Sequence, residues 1–197
     1  MSAVIFENAN VLDTKSGTIL GDHHVLVSDG RIAEVSDTRI NASAARRVDV
    51  KGRTLMPGLC DGHVHVTAIT ANFPQLLRES PFYVAAQAGH ILHAMLMRGF
   101  TTVRDAGGAD HGLAKAVAED LLPGPRLLYA GKSLSQTGGH GDMRQPGEGR
   151  VDDCFCCAGL GRICDGIAEV QRAARDEIRK GATQIKIMAS GGVSSPT

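Results

Sequence analysis

The first 56 residues carry short apolar runs separated by turn signals, with no helical period among them. The apolar run at 24–27 leads into Asp29-Gly30, and residues 31–35 follow with apolar and charged positions in partial alternation. An Asp-Gly pair between two such runs favours a two-residue hairpin turn, so we predict two antiparallel strands here. Further short runs follow at 47–50 and 53–56. Residues 1–56 are therefore predicted to form the N-terminal part of a small β-sandwich domain.

After Pro57-Gly58 the pattern changes to strands alternating with helices. Strands are predicted at 59–65, 100–105, 126–130 and 184–188. Helices are predicted at 83–98, at 111–120 and from an N-cap at Asp165 to residue 180. The last helix is expected to turn four apolar residues inward: Ile167, Val170, Ala174 and Ile178. Alternating strands and helices predict an α/β fold with a parallel sheet and right-handed crossovers.

The strongest chemical feature is His63-Val64-His65 at the end of the first of these strands. Side chains at positions i and i+2 of a strand point to the same face, so both imidazoles can reach one metal ion. Zinc accepts histidine nitrogen at about 2.0–2.1 Å. A bare His-x-His pair could also be two polar residues facing a loop. The preceding Pro57-Gly58, an Asp61 and a strand make metal binding the stronger interpretation.

Four segments together resemble the amidohydrolase superfamily. They are PGLCDGHVH at 57–65, GFTTVRD at 99–105, GGHG at 138–141 and IKIMASGG at 185–192. Within the superfamily they look like the imidazolonepropionase-related branch and its Xaa-Pro dipeptidase (prolidase-like) group. The resemblance implies a (β/α)8 TIM-like barrel, whose first half occupies residues 57–197. A full barrel takes about 250 residues, so the remainder is expected in the same polypeptide or another chain.

The resemblance also implies the ligand set. His63 and His65 would bind metal, and Lys186 would carry a CO2-derived carbamate that bridges two divalent ions, with zinc expected. Two more His ligands, and an Asp acting as general base, are expected downstream of Thr197. For Lys186 the alternative is a buried ion pair, because an ammonium inside an apolar strand needs a compensating partner. Burial and nearby cations depress a lysine pKa, which favours the neutral amine that reacts with CO2.

Two other polar residues lie near the predicted strand ends. His140 lies in a Gly-rich loop after the third strand, and by resemblance it contacts the substrate, the alternative being a loop-stabilising histidine. Asp105 ends the second strand and is interpreted as a structural cap, with support of the metal ligands as the alternative. The remaining histidines, among them His90 and His93 on a helix, are expected at the surface or an interface.

The composition of the chain argues against several classes of binding partner. Lys plus Arg and Asp plus Glu both total 21, so the formal net charge is zero and nucleic-acid binding is not expected. The chain has no apolar run near the 20 or so residues that a membrane helix needs, and no signal-peptide pattern, so we expect a cytoplasmic protein. The five cysteines are expected to be free thiols. The spacing of Cys154, Cys156, Cys157 and Cys164 does not suit a zinc knuckle.

These features predict hydrolysis of an amide bond. By resemblance the substrate is a dipeptide or N-acyl amino acid that ends in proline or a similar residue, and the enzyme is a homo-oligomer. One alternative is a mononuclear cyclic-amide hydrolase, of imidazolonepropionase type, or a deaminase. Lys186 argues against it, because mononuclear relatives generally lack the bridging lysine. Another alternative is an inactive truncated or regulatory homologue, and residues 1–197 are not expected to be active alone.

Overall fold

The chain divides into two compact units, Met1–Pro57 and Gly58–Thr197. The structure is a computed structural model, and it describes residues 3–149 and 158–192. In this part of the chain no helix is long and apolar enough to cross a membrane.

The N-terminal unit is one mixed five-stranded sheet. Its strands are β1 Ala3–Asp13, β2 Thr18–Ser28, β3 Arg31–Ser36, β4 Arg46–Asp49 and β5 Thr54–Leu55. The order is β3-β2-β1-β4, with β5 also paired to β1. Strands β1, β2 and β3 are antiparallel neighbours, whereas β4 and β5 run parallel to β1. The described residues of this unit form a single sheet, so the β-sandwich stays a prediction.

The hairpin predicted at Asp29-Gly30 is confirmed. Ser28 of β2 pairs with Arg31 of β3, which leaves two residues in the turn. Asp29 and Gly30 have φ values of 51° and 74°, the left-handed conformation that a tight hairpin turn of this kind requires. Asp and Gly are among the residues that adopt this conformation at low cost, which is why the sequence signal was reliable.

The second unit is built on a parallel sheet. Strands β6 Leu59–Val64, β7 Phe100–Asp105 and β8 Arg126–Tyr129 lie in the order β6-β7-β8. Helices α1 Phe73–Leu76 and α2 Pro81–Met97 connect β6 to β7, and α3 His111–Ala118 connects β7 to β8. Two short strands, β9 Ser133–Ser135 and β10 Gly161–Ile163, pair in parallel, and α4 Gly166–Arg179 follows.

The main core lies between this sheet and its helices. Val103 and Leu127 of the strands pack with Leu92 of α2 and with Leu113 and Val117 of α3. Alternate positions of each strand therefore face the helices, and the intervening positions face the opposite side of the sheet. Parallel strands with helices on one side are the arrangement expected for the first half of a (β/α)8 barrel.

The predicted fourth strand at 184–188 is not a regular strand. Residue Ile187 forms an isolated parallel bridge with Leu134 of β9. The segment bonds first to β8, where Thr183 N–H donates to Tyr129 O at 2.9 Å. It then bonds to β9, through Leu134 N–H to Lys186 O and Met188 N–H to Leu134 O. Residues 130–132 separate β8 from β9, so the segment runs alongside the third strand without forming a continuous ladder.

The inner face predicted for α4 was partly wrong. Val170 and Ala174 pack near β9, but Ile167 is 79% exposed and Ile178 is 58% exposed. Near the end of the helix the buried residue is Glu177, not Ile178, and Glu177 is 2% exposed. Its carboxylate lies 3.6 Å from the guanidinium of Arg162 and 3.1 Å from the ammonium of Lys180. A buried charge is tolerated when it is paired, and an apolar pattern does not reveal such a pair.

The Asp165 N-cap is confirmed in position but not in its side-chain bonding. Asp165 occupies the N-cap position of α4, but its side chain caps no helical N–H. Its carboxylate instead accepts hydrogen bonds from the backbone N–H and the hydroxyl of Thr137. This residue therefore ties the start of α4 to the Gly-rich loop after β9.

Candidate metal centre

His63 and His65 lie together at the carboxyl end of β6. His63 is exposed and His65 is half-buried, and their ring centroids are 5.3 Å apart with an interplanar angle of 65°. In a βα-barrel the carboxyl ends of the strands carry the functional residues. The strand thus presents two imidazoles at the end where a site is expected.

The orientation of the His65 ring is set by a backbone carbonyl. Its Nδ1 lies 2.9 Å from the carbonyl oxygen of Gly107, in the loop after β7. Because a carbonyl oxygen only accepts hydrogen bonds, Nδ1 carries the proton in this contact. In the neutral ring, Nε2 then carries the lone pair, which is the form in which an imidazole binds a metal ion.

Lys186 acts on His63 electrostatically. Burial, followed by the positive charge of Lys186, lowers the pKa of His63 below its ordinary value, and the charges of His65 and Arg104 act in the same direction. Ile185 packs against the α4 side of the sheet, so its neighbour Lys186 belongs to the opposite face. A lowered pKa favours the neutral His63 imidazole, the form that a metal ligand requires. The carbamate on Lys186 and the metal roles of His63, His65 and Lys186 stay predictions.

Arg104 is a neighbour of His63 that sequence reasoning did not single out. Its Nε donates to the carbonyl oxygen of Gly62 at 2.8 Å, which places the guanidinium beside the end of β6. Val103 and Asp105 are buried on one face of β7, so strand alternation alone directs Arg104 to the other face. That alternation was the signal available in the sequence.

Asp105 is fully buried and bonded to three backbone N–H groups. Its Oδ2 accepts from Val66 at 2.7 Å, and its Oδ1 accepts from Gly107 at 2.9 Å and from Ala109 at 3.2 Å. Burial raises the pKa of Asp105, against the opposite effect of the three hydrogen bonds. The carboxylate therefore joins the segment after His65 to the loop after β7, in agreement with the structural interpretation.

His140 lies in a loop with its own internal support. Gly138 N–H donates to Asp142, and Gly141 N–H donates to Ser135 Oγ at 3.0 Å. A Cβ atom on Gly192 would lie 2.8 Å from Cε1 of His140, so the ring rests against the chain segment that follows Lys186. The loop after the third strand and the loop after residue 188 thus meet, whereas a substrate contact by His140 stays a prediction.

Within the described residues, few side-chain donors are grouped in a way that could bind a metal ion. Among residues 3–149 and 158–192, no group of three or more His, Cys, Asp or Glu side chains could hold a metal ion. Cys60 and Cys164 are free thiols, as predicted, whereas Cys154, Cys156 and Cys157 lie outside the described residues. The two imidazoles and the Lys186 side chain are donor types that suit a metal ion, but further ligands would have to be supplied.

The parallel sheet and the histidine pair at a strand end define an α/β protein with a candidate metal centre. Residues 54–197 match the Amidohydrolase family. The match covers well over half of the chain, so this chain belongs to the amidohydrolase family.

Solved structures and curated proteins agree with this assignment. A prolidase solved in complex with N-methylphosphonate-L-proline is 48% identical, with a TM-score of 0.94, over 100% of this chain and 48% of its own. Ochratoxinase of Aspergillus niger is 34% identical over 95% of this chain and 42% of its own length. Dihydroorotase of Anaeromyxobacter sp. (strain K) is 29% identical over 88% of this chain and 39% of its own. The chain thus spans less than half the length of these relatives.

Proposed function

We propose that the protein containing this chain is a metal-dependent amide-bond hydrolase, specifically a binuclear zinc dipeptidase or N-acyl amino acid hydrolase of Xaa-Pro type. The observation that carries the proposal is the convergence of His63, His65 and the Lys186 charge at one end of a parallel sheet. Bound divalent ions would polarise the scissile carbonyl and lower the pKa of water. Membership of the amidohydrolase family supports the same reaction class.

The chain's own residues would have separate roles at this site. The lowered pKa of His63 favours its neutral ring, and the hydrogen bond from Nδ1 of His65 to Gly107 leaves Nε2 as the nitrogen that would donate a lone pair. Arg104, anchored on Gly62, adds positive charge beside His63. This charge disfavours protonation of His63 and keeps the ligand available.

Lys186 would become an anionic ligand by reaction with CO2. Its neutral amine would form an N–C bond with CO2 and release one proton, leaving a carbamate with two oxygens. Two oxygens can reach two cations, whereas an amine can reach one. Support comes from the position of Lys186 opposite the packed Ile185 and from its charge effect on His63.

For the substrate class, support comes from two similar solved structures. The prolidase at 48% identity was solved with a proline derivative, and a Xaa-Pro dipeptidase with bound methionine is 27% identical with a TM-score of 0.78. We therefore assign the protein a dipeptide or N-acyl amino acid substrate with a C-terminal proline. His140 would contact it from the loop after β9.

The remainder of the barrel completes the proposal. Two further His ligands and a general-base Asp would come from strands beyond Thr197, in the same or another chain. We also propose a cytoplasmic homo-oligomer that acts on this small substrate.

The first experiment counts metals and screens substrates on the whole protein. Elemental analysis after preparation with zinc and bicarbonate should give two ions per protomer. A panel of Xaa-Pro dipeptides, N-acyl-prolines, a cyclic amide and an aminopurine should then show turnover of the first two classes. His63→Asn should abolish this turnover, whereas His93→Asn, on the exposed face of α2, should leave it unchanged.

Other outcomes would overturn the proposal. One ion with turnover of the cyclic amide or the aminopurine would establish the mononuclear alternative. A folded whole protein without bound metal or turnover would establish a non-catalytic homologue.

A further inference from the structure

We infer that Asp105 is a positioning residue for His65, acting through Gly107. The carboxylate fixes the backbone of Gly107, and the carbonyl of Gly107 sets the ring orientation and the tautomer of His65. The inference rests on the proposed function only in taking His65 as a metal ligand.

The first step is the fixation of the loop after β7 by one carboxylate. Oδ1 of Asp105 accepts the N–H groups of Gly107 and Ala109, at 2.9 and 3.2 Å. Oδ2 accepts the N–H of Val66, the residue after His65, at 2.7 Å. The two oxygens therefore hold both sides of the His65–Gly107 contact, the backbone next to the ring and the backbone next to the acceptor.

The second step is the restraint of Gly107 by its other neighbours. A Cβ atom on Gly107 would overlap Ser133 Oγ and lie 2.8 Å from the carbonyl oxygen of Leu160. Ser133 Oγ also donates to the carbonyl oxygen of Ala106 at 2.8 Å, and Gly108 N–H donates to Gly131 O at 2.8 Å. The peptide that carries the His65 acceptor is therefore held on several sides, and glycine is the residue that fits there.

The third step is the chemistry of the contact. Metal-binding histidines almost always donate their second ring N–H to a carboxylate, a backbone carbonyl or water. In this chain the acceptor is the backbone carbonyl of Gly107, at 2.9 Å from Nδ1 of His65. The carboxylate of Asp105 acts indirectly, because it accepts the N–H of the same Gly107. A carboxylate suits this place because it accepts three N–H groups, whereas an Asn amide would turn its NH2 group toward one of them.

The wild-type protein gives the first test without any metal. In metal-free protein with 15N-labelled histidine, the His65 signals are assigned by their loss in His65→Gln. We expect a protonated Nδ1 and an unprotonated Nε2. A His65 protonated on Nε2 would overturn the inference, whether or not the protein proves to be a hydrolase.

Asp105→Asn gives the second test. We expect a mixture of His65 tautomers in the metal-free variant and a zinc affinity reduced about 10- to 100-fold, the usual effect of losing an outer partner of a ligand. Asp110→Asn is the matched control, because Asp110 also accepts a backbone N–H, from Leu113 at the start of α3. It should leave tautomer and affinity unchanged. A folded Asp105→Asn protein with wild-type tautomer and affinity would refute the inference.

Gly107→Ala disturbs the same contact between Asp105, Gly107 and His65 by changing Gly107 in place of Asp105. The added Cβ must displace the peptide of Gly107 while Asp105 remains in place. The same change of His65 tautomer is expected, and it keeps the inference testable if Asp105→Asn does not fold. A folded Gly107→Ala protein that retains the Nδ1–H tautomer would contradict it. Absence of zinc binding by the wild-type protein would instead refute the proposed function. It would leave the test of the inference intact, because the tautomer measurement needs no metal.

Discussion

At the scale of single residues, neighbouring groups set the pKa of one candidate ligand and the ring orientation of the other. Desolvation and nearby positive charges lower the pKa of His63, and the Gly107 carbonyl accepts a hydrogen bond from Nδ1 of His65. Lys186 is the residue on which the binuclear proposal depends most directly.

Lys186→Arg is predicted to lower the metal content from two ions per protomer to one or none. Arginine keeps the positive charge but stays protonated, so it cannot form the carbamate. We expect kcat/KM to fall by more than about 100-fold. Loss of a residue that only supports a ligand costs less than this, and here a ligand itself is lost. Elemental analysis and steady-state kinetics measure both. Lys115→Arg, at an exposed ion pair with Glu119, is the control, and two retained ions in Lys186→Arg would exclude the bridging role.

Asp142 is predicted to make stability depend on acid pH. The hydrogen bonds from Arg144 lower its pKa to about 2 from 3.8, and its side chain is 6% exposed. The folded state therefore binds the proton more weakly than the unfolded state. The carboxylate contributes about 2 kcal/mol above pH 4, and this contribution is lost as the pH falls toward 2.

Urea unfolding of Asp142→Asn and wild type at several pH values measures this contribution. The variant should be less stable by about 2 kcal/mol at pH 7, and the difference should shrink below pH 4. A difference in unfolding free energy that is independent of pH down to pH 3 would show that the ion pair with Arg144 is not its source.

The sequence predicted the candidate ligands whose residue type and position form a local pattern. It missed the residues whose role depends on three-dimensional contacts. His63 and His65 follow from a two-residue spacing on a strand, and Lys186 follows from a charge inside an apolar run. The inferred link from Asp105 to His65 passes through the hydrogen bond between His65 and Gly107, which lie 42 positions apart in the sequence. No local pattern reveals such a contact.

At the scale of elements, the parallel sheet and its helices were predicted well because their signals are periodic. Helix α2 was expected at 83–98 and spans Pro81–Met97, and its buried side includes Val84, Ala88 and Leu92. The short pair β9 and β10 was not expected, because strands of three residues show no alternation. The irregular segment at 184–188 was overestimated, because apolar residues indicate burial but not a continuous ladder.

Gly58→Ala is predicted to destabilise the entry to β6. A Cβ atom there would overlap the side chain of Thr101 and lie 2.6 Å from Thr101 Cβ, which no rotamer change relieves. We expect a loss of about 1–3 kcal/mol in the free energy of unfolding, as for other overpacked sites. Chemical denaturation measures this loss. Gly21→Ala, with its nearest contact at 3.8 Å, is the matched control, and equal stability of the two variants would contradict the prediction.

At the scale of the whole molecule, metal binding and folding are predicted to be linked. A chelator should lower the thermal stability of the whole protein, and zinc at about 100 times its Kd should restore about 2.7 kcal/mol. Calorimetry with and without zinc measures the difference. In a His63→Asn, His65→Asn double variant the zinc-dependent difference should disappear. If it persists there, the stabilising zinc binds elsewhere in the protein.

The contact between His65 and Gly107 has a consequence for assembly of the sheet. His65 follows β6 and Gly107 follows β7, so the ring finds its acceptor only when the two strands have paired with Val64 opposite Asp105. A slip of one residue would turn the side chains of β6 to the other face and separate the ring from its support. The contact between the ring and the carbonyl therefore forms in one register of the two strands only, and it distinguishes correctly paired chains from slipped ones.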